Sequence, residues 1–389
     1  MEKLKEYYRK MLQETDTGFS RYLFSEINWK SRLIGLVGAR GVGKTTLVLQ
    51  HIKLDLNPDE TLYVTADDFY FSSKTLLDLA GDFLKMGGKQ LIIDEIHKYK
   101  EWSRELKLIY DYHPKLKVIF TGSSILDINK GVADLSRRAI MYRIQGLSFR
   151  EYLKMFHNID AKTFSLRQII EHKVEIPGLE HPLPLFNDYL RRGYYPFMQE
   201  PDFSIRLRQI VGITLESDIP QYADMNVATG RKLKQLMMQI TESVPFKPNF
   251  SKLGAVIGVS RNNIADYCLY IEEAGLIAQL RTFAGGIAGL RKVDKIYLDN
   301  TNLLYNLTSE TPNIGNVRET FFFNQTKAKY ETYTSPVSDF EIKGMTFEVG
   351  GKSKEQKQIQ TVKHGFIVKD NIEFGYENII PLWNFGMMY

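Results

Sequence analysis

The sequence predicts an α/β protein, with a parallel sheet covered by helices on both faces, followed by a helical segment, a winged helix and a small α/β unit. Three observations carry this. Apolar runs alternate with helical stretches from residue 30 to about 145, a glycine-rich loop joins the first run to a helix, and the rhythm stops near Gly146. Leu33 to Val37 is the first run, short and apolar enough for a buried parallel strand.

The loop that follows, Gly38-Ala39-Arg40-Gly41-Val42-Gly43-Lys44-Thr45, satisfies every fixed position of the phosphate-binding pattern, and Thr45 to Ile52 reads as an apolar helix start. Glycines at 38, 41 and 43 let the backbone turn tightly with its N–H groups inward, so loop and helix N-terminus form an anion cradle. Lys44 supplies a charge for β and γ phosphates, and the Thr45 hydroxyl is a magnesium ligand in such a loop. The spacing predicts a bound nucleoside triphosphate.

Further strands are predicted at Thr61 to Thr65, Gln90 to Ile93, Lys117 to Phe120 and Ile140 to Ile144. The third ends in Asp94 and Glu95, where Asp94 is expected to hold the magnesium shell and Glu95 to orient or deprotonate the attacking water. Thr121-Gly122-Ser123-Ser124 closes the fourth, the place expected for a sensor of the γ phosphate. Asp94-Glu95-Ile96-His97 also spells a helicase box, but 389 residues leave no room for two helicase cores, and His97 reads as a local helix-start residue. Trp102, Leu106 and Tyr110 recur at helical spacing, as a packed face requires.

Leu147 to Ile219 reads as helices interrupted by prolines at 177, 182, 184 and 196, a helical lid or linker. Next come helices at Arg231 to Val244 and Phe250 to Ile257, a turn at Gly258-Val259, and a Ser260-capped helix running to Ala274. Leu276 to Phe283 and Lys295 to Leu298 complete the winged helix as its two wing strands. Arg261, Asn262 and Asn263 lead the third helix and would meet base edges in a DNA reader, with Arg281, Arg291 and Lys292 near phosphates. Asp266, Glu272 and Glu273 thin that basic stripe, so duplex binding and protein docking both stay open.

In the last unit, a helix bearing Glu319 precedes a hairpin from Ser338 to Val349 that brings Asp339 near Glu348, with Lys352 beyond two glycines. Three acids and a lysine suit a magnesium-dependent phosphodiesterase, yet Gly350 stands where the usual spacing wants the lysine. Lysines and acids balance across residues 326–389, so this unit presents no basic platform.

Composition fits a globular protein, with 43% hydrophobic and 25% charged residues. A net charge of +5 permits nucleic-acid contact without demanding it. Cys268 is the one cysteine, which excludes an internal disulfide or a thiolate zinc site, and it reads as a packed core thiol. Met1 to Glu6 is charged where a signal peptide is apolar, and no run approaches membrane-spanning length, so a cytoplasmic location is expected.

The runs GARGVGKTT, LIIDEIHK, IFTGSS, LSFREYL, YLRRGYYP, RETFFFNQ, SDF and FEVGGK together resemble a widespread prokaryotic family of AAA+ ATPases. The resemblance implies an AAA domain in residues 1–150, the helical segment in 151–225, the winged helix in 226–300 and a restriction-endonuclease-like domain, degenerate in its site, in 301–389. It implies ATP and Mg2+ as cofactors, nucleotide contacts from Gly38 to Thr46 and at Ser123, and metal and water chemistry on Thr45, Asp94 and Glu95. It also implies a catalytic arginine at Arg137-Arg138, with Arg138 the candidate, and leaves oligomer formation open.

Overall fold

Strands β1 (Leu33–Val37), β2 (Thr61–Thr65), β3 (Gln90–Asp94), β4 (Lys117–Gly122) and β5 (Ile140–Arg143) form one parallel sheet in the order β2-β3-β4-β1-β5. The computed structural model describes residues 1–122, 135, 137–223, 225–283, 292–351, 359 and 362–389. Ser123, Arg291 and Lys352 therefore lie outside the described residues.

Strand alternation sorts this sheet into two cores. Ile34, Leu36, Tyr63, Ile92 and Ile119 face the helix Lys44–Asp55 through Leu47, Val48 and Ile52. Leu33, Val37, Leu62, Leu91 and Phe120 face the opposite layer, where Trp102, Leu106 and Ile109 cover the sheet from the helix Trp102–Tyr112. Trp102 is buried against Phe120, as its helical spacing predicts. Each such fully buried aliphatic side chain contributes roughly 1.5–3 kcal/mol, which makes the sheet a stiff platform for the loops at its ends.

Two compact units divide the chain, one of residues 1–146 with 221–224, the other of residues 147–220 with 225–389. In the second, the helix Phe149–His157 starts with a Ser148–Glu151 capping box, and helices Pro182–Arg192 and Phe203–Ile213 follow. Helices Val227–Ser243, Phe250–Ile257 and Arg261–Glu273 then precede the antiparallel pair β6 (Ile277–Thr282) and β7 (Val293–Leu298). Gly258 ends its helix in the left-handed region, and the Ser260 side chain accepts from the Asn263 N–H.

That pair is not isolated. With β8 (Tyr333–Thr334), β9 (Phe340–Ile342), β10 (Met345–Gly350), β11 (Gly365–Lys369) and β12 (Ile379–Pro381) it builds one sheet, β12-β11-β10-β9-β8-β6-β7. The join is the parallel pairing of β6 with the two-residue β8. Lys343 and Gly344, both at positive φ, turn β9 into β10, and the helix Ile314–Lys327 packs on the sheet through Phe322 against Phe340, Phe347 and Phe385. Cys268 is fully buried in its helix, and burial pushes its thiol up to about 12. Among the described residues no helix is long and apolar enough to cross a membrane.

Candidate functional site

The parallel sheet points the C-terminal ends of β1, β3 and β4 to one edge, and the chain at each end carries a chemically distinctive residue. After β1, Gly41 and Gly43 take φ of 84° and 94°, a region costly for any side-chain-bearing residue. A Cβ on Gly38 would meet the Ile144 carbonyl oxygen at 2.5 Å, so glycine lets the loop lie against the strand end. Lys44 Nζ donates to the carbonyls of Gly38 (3.0 Å) and Ala39 (2.9 Å), which lays the ammonium across the loop. Val42 is buried in the core and serves the loop through its backbone, whereas Thr46 is exposed. Arg21, buried, braces the turn by donating to the carbonyls of Val42, Gln145 and Gly146.

Strand order places β4 between β1 and β3, so three strand ends meet at Asp94. Its Oδ2 accepts from Thr45 Oγ1 (2.7 Å) and from Tyr63 of neighbouring β2 (2.6 Å), while Oδ1 accepts from Thr121 Oγ1 and from the Glu95 N–H (3.1 Å). These donors hold one carboxylate orientation. One carboxylate and one hydroxyl side by side suit Mg2+, which keeps several waters and takes further oxygens from phosphates. Among the described residues no group of three or more His, Cys, Asp or Glu side chains is placed to hold a metal on its own.

Glu95 leaves the strand with φ 51°, ψ 39°, and its N–H also donates to Thr121 Oγ1 at 3.3 Å. The turn continues as the 3-10 stretch Ile96–Lys98, which puts His97 Nε2 3.2 Å from Glu95 Oε2. Burial, the largest single influence, pushes the Glu95 carboxyl up, but the His97 hydrogen bond and charge, with Lys44 and Arg40, outweigh it and hold the group at about 2. Glu95 is thus a carboxylate at every working pH, a hydrogen-bond acceptor for water rather than a strong base.

The structure therefore brings together Gly38, Ala39, Arg40, Gly41, Val42, Gly43, Lys44, Thr45, Asp94, Glu95 and Thr121. It does not bring Arg138 there. Arg138 precedes β5, parallel to β1, so it sits at the opposite sheet edge, where it forms a two-bonded pair with Asp111 at 2.9 Å. Tyr63, Arg21 and the contact of His97 with Glu95 are what sequence reasoning missed. The helicase-like box brought His97 to notice, but Tyr63 has no signal beyond its place on a strand.

In the second unit, Asp339 and Glu348 lie near each other, as the hairpin predicts, and Glu319 approaches Asp339 from the helix Ile314–Lys327. Glu319 accepts from Tyr297 (2.7 Å) and Lys295 (3.2 Å), Lys295 Nζ is 3.7 Å from Asp339, and Glu348 accepts from Ser338. Burial first, then Glu319 and Glu348, push the Asp339 carboxyl up to about 6. Of the expected DNA-facing residues, Arg261, Asn262 and Asn263 are exposed, whereas Arg281 is bound by both oxygens of Glu272.

Comparison with known proteins bears on these sites. Residues 30–153 match an AAA domain. Residues 183–313 match a domain of unknown function, DUF8612. An uncharacterized protein of Methanocaldococcus jannaschii, MJ1637, is 26% identical over 290 residues, 69% of this chain, and the chain spans 61% of that relative's length. Three solved structures overlap 70% of the chain. They are PCH-2 of C. elegans (15% identity, 66% of that chain, TM-score 0.26), the S. cerevisiae Hsp104–ADP complex (16%, 41%, 0.28) and AMPPCP-bound DnaA of Aquifex aeolicus (12%, 88%, 0.23). Those overlaps are too loose to transfer any residue's role.

Proposed function

We propose that this chain is an ATP-hydrolysing molecular switch in which the AAA domain drives the second unit as its output. The observation that carries the reading is the meeting of Thr45 and Asp94 at 2.7 Å beside Lys44 and Glu95, at the edge where a phosphate-cradling loop opens. Loop N–H groups and Lys44 would hold the β and γ phosphates. Thr45 and Asp94 would hold Mg2+, which when bound neutralises developing charge on the transferred phosphoryl group. Glu95 would orient the attacking water, and Thr121 keeps Asp94 in place.

Supporting a nucleic-acid output is the Ser260-capped helix, which presents Arg261, Asn262 and Asn263 to solvent at the end that a winged helix directs into a major groove. The engagement of Arg281 by Glu272 favours a protein partner instead. An ATP-gated nuclease at Glu319, Asp339 and Glu348 is the third output, with magnesium-dependent nicking expected to vanish in Asp339→Ala.

The test of the first reading is a pair of variants. Glu95→Gln keeps ATP affinity while phosphate release falls about 10²- to 10⁴-fold, the usual worth of a group that handles a proton or water in the transition state. Lys44→Ala loses phosphate binding itself. Unchanged turnover in Glu95→Gln would sink the assignment.

A further inference from the structure

We propose that His97 is the positioning residue for Glu95, fixing the carboxylate toward the phosphate loop so that one oxygen is held by the imidazole and the other is left to meet water. The proposal rests on Glu95 acting in ATP hydrolysis, and it adds a role for a residue outside the nucleotide pattern.

Geometry carries it. Glu95 takes a left-handed backbone conformation, which costs an L residue roughly 1–2 kcal/mol, and the chain at once enters a 3-10 turn closed by the Lys98 N–H on the Glu95 carbonyl at 2.8 Å. That sharp reversal brings residue 97 back beside residue 95, which an extended continuation of β3 would separate by two strand steps. His97 is fully buried at its side chain, while Glu95 keeps about a quarter of its side-chain surface open. A buried partner of fixed position and a partly open carboxylate are what an oriented acceptor needs.

The protonation pattern is set by chemistry. An ionised carboxylate only accepts, so the imidazole nitrogen facing it, Nε2 at 3.2 Å, carries the hydrogen and donates. Lys44 at the helix start and Arg40 in the loop also act on the Glu95 charge, and they lie on the phosphate side. When their charge is taken up by a bound triphosphate, His97 is the partner that stays with Glu95. Its hold on the rotamer is then what separates a productive from a wandering carboxylate.

The experiment compares steady-state phosphate release and ATP affinity in the full chain for wild type, His97→Gln, His97→Asn, His97→Leu and Glu95→Gln. Gln Nε2 reaches the position of imidazole Nε2, whereas the Asn amide is one carbon short. The expected result is kcat within about 3-fold of wild type for His97→Gln but about 10- to 100-fold lower for His97→Asn and His97→Leu, with KM for ATP unchanged. Unchanged ATP affinity confirms that a slow variant is folded.

Equal kcat in His97→Gln, His97→Asn and His97→Leu, all near wild type, overturns the proposal. So does equal loss in all three, which marks a purely structural histidine. Glu95→Gln separates the layers: full turnover in that variant removes the hydrolytic reading and this inference together, whereas its failure alongside three active His97 variants removes this inference alone.

Discussion

At the residue scale the site is organised around the Asp94 carboxylate. Thr45, Tyr63 and Thr121 hydroxyls all donate to it, so each of its oxygens is committed before any ligand arrives. Tyr63 is the informative member, since it is buried and belongs to neither nucleotide motif. Burial, then the nearby Asp94 charge, push its hydroxyl well above the ordinary range, so it stays a neutral donor. Tyr63→Phe should lose a hydrogen bond to an ionised group, about 1.5–3 kcal/mol of stability, read as a lower urea midpoint with an unchanged slope. ATP binding should survive, because Thr45 and Thr121 still fix the carboxylate. The Glu95 carboxyl, held at about 2, is depressed below the ordinary value near 4.3. Its stabilisation is therefore complete above that value and is lost as pH falls toward 2.

At the element scale, the sheet of the second unit crowds three carboxylates from the helix Ile314–Lys327, the turn before β9, and β10. Asp339 is lifted to about 6 there, against about 3.9 in an unfolded chain. A carboxyl whose folded value is raised favours the folded state below the unfolded value, and that advantage is lost as pH rises through about 6. Asp339→Asn keeps an oxygen for the Val349 N–H and removes the charge. It should gain about 1–3 kcal/mol over wild type at pH 8, with the gap closing near pH 4, as measured by chemical unfolding at both pH values. The five N-terminal strands were legible in sequence as short hydrophobic runs alternating with helical stretches, and β1, β3 and β4 were marked further by the residues that follow them. The two-residue β8 was not, because so short a strand has no period, and it is the element that fuses the β6–β7 pair to the last sheet. Likewise the loop residues were legible because their spacing is local. Tyr63 and Arg21 were not, because their contacts depend on which strands become neighbours.

For the whole molecule, the residues that match an AAA domain carry the phosphate loop, Asp94 and Glu95, and the second unit carries the helix Arg261–Glu273 and the carboxylates of Glu319, Asp339 and Glu348. Its exposed Arg261 suits a phosphate-bearing partner, whereas the Arg281 charge is taken up by Glu272. If duplex DNA is the output partner, added duplex should change phosphate release at low salt, and the change should fade as salt rises, since phosphate contacts release counterions. No binding at low salt leaves the protein-docking version standing. Prior to any partner stands the question of whether the loop, Asp94 and Glu95 make a hydrolytic site. Steady-state phosphate release by wild type and Glu95→Gln, with ATP binding measured on the same samples, answers it. The account predicts equal affinity and turnover reduced by about 10²-fold or more in the variant, and equal turnover in the two would contradict it.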